Sequence, residues 1–303
     1  MRKKVLFLAN FSSGIQGNKE KIYSLVNELV VRDCEVVLYP IIPTERLGSE
    51  NILDETDYPY DCIICCGGDD TLNKLINSLH QNSRKTTIGY FPMGSTNDFA
   101  SSLYGTRNLD VARLAEGVRQ NYTYKYDIGK FNEHYFNYVA AFGAFTKVSY
   151  GTDQNFKNTF GYLAYALTAI GNIPEALNAR IGLRVSSDEV QVEGNFLIGA
   201  ISNTTSIGGL EPAMINRSQL NDGLFEVTLI RTPKNILELN DLITMLVAGD
   251  IDNQLIVSFA TRKVTLEFEN PTEWTLDGEA GGSHRKVVIE ALPEAQEIFL
   301  PRQ

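Results

Sequence analysis

The sequence predicts an N-terminal doubly wound α/β domain followed by a C-terminal antiparallel, β-sandwich-like domain. Three observations carry this reading. From Lys4 to Val118, apolar runs of strand length alternate with stripes of helical period, the order of a parallel sheet. After Thr123 the texture changes to strands with hairpin-length connections. Two glycine turns, at Gly67-Gly68 and at Gly94, each end a strand and open a helix.

In order, Lys4 to Asn10 reads as a buried strand, then a polar turn from Phe11 to Asn18. Ile22, Leu25, Val26, Leu29 and Val30 form a helical stripe. Cys34 to Tyr39 is the second strand, ending at Pro40. Ile63–Cys66, Leu72–Leu79, Thr87–Phe91 and Leu109–Val118 continue the alternation. Beyond it, Tyr124–Ile128, Tyr135–Ala141, Ile181–Val185, Val190–Ala200, Phe225–Ile230 and Val264–Glu269 read as strands. Gly151–Asn172 and Ile236–Val247 read as helices. Such a division places an active site in the cleft between the domains.

The run Cys62 to Ile76 is the centre of the chain's chemistry. An apolar strand meets Gly67-Gly68, then Asp69, Asp70 and Thr71, residues suited to cap the helix through Leu72, Leu75, Ile76 and Leu79. Backbone N–H groups at such a turn suit phosphate oxygens, and glycine permits close approach. Gly-Gly-Asp also serves as an ordinary structural turn. Gly89 to Ala100 repeats the pattern: strand end, glycine turn, polar helix entry. Two turns of this kind sit side by side at the carboxyl ends of neighbouring parallel strands, where open α/β sheets bind ligands. Neither a P-loop lysine motif nor a dinucleotide glycine fingerprint occurs.

Composition sets further bounds. A net charge of −10 argues against nucleic acid as a partner and gives no general attraction to anionic membranes. Met1 to Ala9 lacks the form of a signal peptide, and Phe160 to Ile173 falls short of a membrane span. The expected location is cytoplasmic. Three of the four cysteines lie between Cys62 and Cys66, but on a strand Cys62 and Cys65 face opposite sides, which favours buried thiols over a metal centre. The three histidines, His80, His134 and His284, coincide with no motif and read as surface or structural.

Together the two turns resemble the diacylglycerol kinase catalytic family of ATP-dependent lipid kinases. Gly67-Gly68-Asp69-Asp70-Thr71-Leu72-Asn73 stands where that family has Gly-Gly-Asp-Gly-Thr-Leu-Asn. Pro92-Met93-Gly94-Ser95-Thr96-Asn97-Asp98-Phe99-Ala100 is similar to its second motif. The resemblance continues in order at Asn10 to Gly14, Tyr126-Asp127-Ile128-Gly129, Asn221-Asp222-Gly223-Leu224 and Asp277-Gly278-Glu279. Three residues depart from it: Asp70 for Gly, Phe11 for Pro and Ser95 for Thr. Aspartate tolerates a left-handed backbone, so the turn can be kept. A carboxylate beside a triphosphate is unfavourable unless a cation or basic group intervenes.

The resemblance implies ATP and Mg²⁺ as cofactors and a diacylglycerol-like lipid, met at a membrane surface, as acceptor. It implies a phosphate cradle of Asn10, Ser12, Ser13, Gly14, Gly67, Gly68, Asp69, Asp70, Thr71, Asn73, Gly94, Ser95 and Asn97. Thr44, just past the second strand, would reach the base or ribose, or is simply a loop threonine. Asp69 and Asp98 are the carboxylates nearest the cradle and candidates for Mg²⁺; Asp98 alternatively caps a helix starting at Phe99. Gln219, Asp222 and Leu224 match a loop that holds a structural Mg²⁺ largely through main-chain oxygens. Asp277 or Glu279 supplies the general base, with Glu279 preferred, and Gly281 to Ser283 reads as a loop after it. The family's final segment returns to the first domain, giving domains of 1–123 with 287–303, and 124–286. Phe160 to Ile173, with Phe142 and Phe145, lines an acyl groove or packs on the sheet. An NAD kinase-like enzyme and a degenerate lipid- or nucleotide-binding homologue are the alternatives. An extended sheet edge offers a route to a homodimer.

Overall fold

A computed structural model describes residues 2–11, 18–41, 52–53, 56–94, 97–143, 180–203, 220–248 and 254–302. Ser12, Ser13, Gly14, Thr44, Ser95 and Gln219, and the helix and groove expected between 151 and 173, lie outside the described residues. The chain divides into two compact units: Met1–Asp127 with Glu294–Gln303, and Ile128–Pro293.

In the first unit, β1 (Lys3–Asn10), β2 (Cys34–Ile41), β3 (Cys62–Gly67) and β4 (Thr87–Pro92) form a parallel sheet in the order β4-β3-β1-β2. The end of the last strand, β13 (Glu279–Phe299), adds beside β4 through Ile298 and Ile88. All six residues of β3 are buried, as a central parallel strand requires. β2 continues through Pro40 to Ile41, past its expected end. Among the described residues its outer side is the sheet's edge, where proline is tolerated. Helices α1 (Asn18–Val31), α2 (Asp69–Gln81), α3 (Asp98–Tyr104) and α4 (Val111–Gln120) complete the alternation. Ile22, Leu25 and Leu29 of α1 join Val5, Phe7, Cys62, Ile64, Cys66, Leu114 and Val118 in one core. Val30, expected in that stripe, is 51% exposed because it falls past the buried arc of the helix.

All four cysteines are buried thiols. Burial pushes the Cys62 thiol up to about 12 and raises those of Cys65 and Cys66 as well, so each behaves as a small apolar side chain. His80, in the last turn of α2, is half-buried, and burial lowers its pKa from 6.5. The unfolded chain therefore binds this proton more readily than the folded one. The stability His80 contributes is full above pH 6.5 and is lost as pH falls through and below it. In melting curves between pH 7.5 and pH 5.5, His80→Gln should gain steadily on the native protein as pH falls. A constant difference would refute this.

The second unit is antiparallel, with sheet order β11-β10-β9-β7-β12-β13. Its strands are β5 (Thr123–Phe131, entering from the first unit), β6 (His134–Phe136), β7 (Val139–Gly143) and β8 (Ile181–Ser186). They continue with β9 (Gln191–Ser202), β10 (Phe225–Arg231), β11 (Ile256–Thr261), β12 (Lys263–Leu276) and β13. Helix α5 (Ile236–Ala248) links β10 to β11. Trp274 anchors the core, with ring centroids 4.8 Å from Phe142 and 5.0 Å from Phe131.

Two sequence expectations change here. Tyr135–Ala141 is not one strand: it breaks at Asn137-Tyr138, whose backbone N–H groups turn to the Asp277 carboxylate instead of a ladder. Gly281 to Ser283 is not a loop but part of β13. A register shift there leaves Gly281 as a bulge beside Gly282 at φ 81°, a backbone angle that suits glycine.

Candidate active site

The first unit brings its two glycine turns into contact. Met93 N donates to Gly67 O (2.7 Å), which ties the turn after β4 to the end of β3. A Cβ built on Gly94 would lie 2.9 Å from Gly68 Cα, so glycine at 94 is what lets the two turns abut. At the carboxyl end of β1, Asn10 Nδ2 donates to Thr71 Oγ1 (3.0 Å), and both residues are buried. Asn10, Gly67, Gly68, Thr71, Asn73, Gly94 and Asn97 thus gather at the carboxyl ends of β1, β3 and β4.

Asp69 does not cap α2. The cap position is Gly68, with no side-chain cap bond, and Asp69 is the first helical residue. Its buried carboxylate accepts from Asp98 N (2.8 Å) and Tyr90 Oη (3.1 Å), binding the two turns together. Burial, reinforced by that carboxylate, raises the Tyr90 pKa and keeps the phenol a donor. Asp98 does not cap a helix at Phe99 either. It lies inside α3, behind Asn97 in a left-handed conformation (φ 53°), and pairs with Arg107 Nη2 at 3.4 Å. Capping and buried bridging draw on the same residue types, so spacing alone did not separate them.

Asp70 needs no left-handed backbone, because it occupies the first turn of α2. Thr71 Oγ1 lies 3.5 Å from Asp70 Oδ1. A Cβ on Gly68 would come within 2.6 Å of that same oxygen, so the carboxylate overhangs the first glycine turn. A negative side chain in the first helical turn is favourable to the fold. It also competes for the space and charge that a phosphate would take.

In the second unit, Asp277-Gly278 is a two-residue hairpin turn between β12 and β13. Leu276 pairs with Glu279, and φ is positive at both turn residues (50° and 89°), the pattern that Asp-Gly favours. Asp277 is 3% exposed and its carboxylate accepts four hydrogen bonds. Asn137 N and Nδ2 reach Oδ2 (2.7 and 3.0 Å), while Tyr138 N and Val139 N reach Oδ1 (3.0 and 3.1 Å). Glu279, two residues on, is partly exposed.

The loop before β10 folds back on itself. Gly223 has φ 76°, Asp222 Oδ1 accepts from Leu224 N (2.9 Å), and Asn203 Nδ2 donates to Leu220 O (3.3 Å). Beside it, sequence reasoning missed Glu226, whose carboxyl is pushed up to about 7, first by burial and then by Asp222. Glu226 Oε2 is buried with no hydrogen-bond partner among the described residues. Its place after Asn-Asp-Gly in an alternating strand was the available signal.

Residues 4–131 match the profile of the diacylglycerol kinase catalytic domain. Residues 139–300 match that of the YegS C-terminal NAD kinase beta sandwich-like domain. A diacylglycerol kinase of Bacillus subtilis (strain 168) is 31% identical over 224 residues, covering 74% of this chain and 72% of that protein. The chain belongs to the diacylglycerol kinase family. Another diacylglycerol kinase, from Staphylococcus carnosus (strain TM300), is 27% identical over 305 residues, covering 100% of this chain and 96% of its own. The fold agrees with a solved diacylglycerol kinase structure from Bacillus anthracis str. Sterne at a TM-score of 0.75 and 20% identity. That match covers 98% of this chain and 97% of the other.

For this member of the family, the structure accounts for a motif the sequence left without a role. Asp127, fully buried, accepts from Glu294 N (2.7 Å) and fixes the point where the last strand re-enters the first unit.

Proposed function

We infer that this chain is an ATP-dependent lipid kinase that moves the γ-phosphate of ATP to a hydroxyl of diacylglycerol or a related lipid. The observation that carries this reading is the abutting pair of glycine turns, bound together by Asp69, in a member of this family. Kinase chemistry is mostly positioning and charge stabilisation, and backbone N–H groups at two strand ends provide both without a P-loop lysine. Asn10, Gly67, Gly68, Thr71, Asn73, Gly94 and Asn97 cradle the phosphates in this reading, with Ser12 to Gly14, Ser95 and Thr44 completing the nucleotide site. The first unit is the nucleotide-binding domain and the second the lipid kinase domain.

The donor sets fit Mg²⁺. Among the described residues, Asn97 Oδ1 is buried without a hydrogen-bond partner beside the glycine turns, and Glu226 Oε2 is equally unpartnered beside the Asp222–Leu224 loop. Both are oxygen acceptors of the kind a hard cation takes. Asn97, Asp98 and Asp69 would hold the nucleotide's ion directly or through water. Gln219, Asp222 and Leu224, with Glu226 alongside, would hold a structural one. When bound, the ion neutralises charge on the β- and γ-phosphate oxygens.

Glu279 takes the proton of the acceptor hydroxyl as that oxygen bonds to the γ-phosphorus. The bond from phosphorus to the β,γ-bridging oxygen breaks and ADP departs. Asp277, with four donors already on it, positions the turn. A bilayer surface is where the acceptor is met. Two copies would join along β11, which pairs with β10 alone among the described residues.

The test is Mg²⁺-dependent phosphate transfer from [γ-³²P]ATP to diacylglycerol in mixed micelles, with ATP affinity measured in parallel. Turnover stimulated by diacylglycerol is expected. Asp70→Gly should tighten ATP binding about tenfold by removing a carboxylate from the cradle. ATP binding without transfer to any lipid alcohol would overturn the kinase reading, and unchanged affinity in Asp70→Gly would overturn the placement of the phosphates.

A further inference from the structure

Asp69 and Asp70 are neighbours in the first turn of α2 and are held in different ways. Asp69 is buried, and its carboxylate accepts from Asp98 N and Tyr90 Oη. Asp70 is half-buried, and among the described residues its side chain meets one donor, the Thr71 hydroxyl at 3.5 Å. Thr71 Oγ1 in turn accepts from Asn10 Nδ2 (3.0 Å), so a chain of donors running from the end of β1 fixes the Asp70 carboxylate in place. Arg107, the guanidinium at the second turn, is paired with Asp98 at 3.4 Å, and no described lysine or arginine pairs with Asp70.

The position of this carboxylate is set by the glycines. A Cβ on Gly68 would lie 2.6 Å from Asp70 Oδ1 and 3.4 Å from Gly94 Cα, so the oxygen stands beside the line where the two turns abut. A second acceptor borders the same line. Asn97 donates through Nδ2 to Gly94 O (2.8 Å), while its buried Oδ1 has no hydrogen-bond partner among the described residues. Neither oxygen can donate to a phosphate, and the charged one repels it. That repulsion is proportional to the charge the ligand carries, and a divalent ion on a triphosphate removes two charges at once.

We propose that Asp70 acts as a charge filter on the phosphate cradle, turning away triphosphate that carries no divalent ion and admitting the ion-loaded form. Glycine at position 70, the residue the family places there, has no charge with which to discriminate. ATP bears four negative charges alone and two when loaded with Mg²⁺, so a tenfold gain in Asp70→Gly for the loaded form becomes about a hundredfold gain for the metal-free form. The inference deepens the lipid-kinase reading and takes its ligand from it. Its readout, however, is binding and not turnover.

The test is calorimetric titration of the full chain with ATP, in excess Mg²⁺ and in EDTA. The native protein is compared with Asp70→Asn, Asp70→Gly and Asp70→Glu, each checked for an unchanged melting temperature. The ratio of Mg²⁺-loaded to metal-free affinity should fall about tenfold in the asparagine and glycine variants and stay close to native in Asp70→Glu. Asparagine keeps the size of the side chain, so a fall in both variants reports charge. A fall in the glycine variant alone reports space and overturns the proposal, as does a ratio that none of the variants changes. Phosphate transfer to diacylglycerol, assayed on the same proteins, keeps the two readings apart. Transfer with an unchanged ratio would remove the filter and leave the kinase standing. A ratio that falls as expected in a protein that phosphorylates no lipid would uphold the filter and remove the kinase reading. No ATP binding by any of the four proteins in either buffer would overturn both.

Discussion

Replacing Glu279 with glutamine should lower phosphate transfer by about 10²–10⁴-fold and leave ATP affinity unchanged. Glutamine keeps the size and the partial exposure of the side chain but cannot take a proton. The residue lies in unit 2, paired across the hairpin with Leu276, so the substitution should spare the nucleotide site proposed for unit 1. Single-turnover rates with saturating ATP and lipid would read the chemical step directly. A variant within threefold of the native rate would exclude Glu279 as the base.

Asp277→Ala should act on the fold first. It strips the acceptor from three backbone N–H groups and one side-chain amide, all buried, and it leaves alanine at φ 50°. Orphaned donors cost about 1–3 kcal/mol each, partly recovered by entering water. A net loss of about 4 kcal/mol is expected, which lowers the melting temperature by roughly 10 °C. Asp277→Asn tolerates the left-handed backbone but turns an amide N–H₂ toward donors, so it should lose about half as much. If Asp277 were itself the proton acceptor, the asparagine variant would keep its melting temperature and lose turnover. That pattern would reverse the assignment of roles between Asp277 and Glu279.

These two carboxylates show where the sequence was readable. The hairpin Asp277-Gly278 follows from local turn chemistry, and so do the glycine turns at Gly67-Gly68 and Gly94, because each is decided by a few adjacent residues. The parallel order of β1 to β4 was equally visible in alternating periodicity. What adjacent residues do not encode is the partner of a buried polar group. The break at Asn137-Tyr138 is caused by a carboxylate 140 positions away, and no local pattern announces it. Asp69 and Asp98 have the composition of caps yet bridge two turns, a choice made by burial and by each other's backbone. That β12 runs unbroken through Asn270 and Pro271 was not legible for a related reason: a turn-forming pair is tolerated where the register shifts, between Glu267 and Thr272.

The joint between Asp127 and Glu294 has a consequence for the making of the protein. The first unit is assembled from two stretches separated by the whole of the second, and its sheet takes its outer strand from the later stretch. Leu300 N bonds to Tyr122 O, Arg302 N bonds to Arg113 O, and Gly117 leaves space for the Leu300 carbonyl. On the ribosome, the early residues emerge with one flank of their sheet and one face of α4 uncovered. They stay so until nearly all of the remaining sequence has been translated. The first unit is therefore incomplete throughout synthesis of the second. A chain cut short before Glu294 would lack this closure whatever the state of its glycine turns.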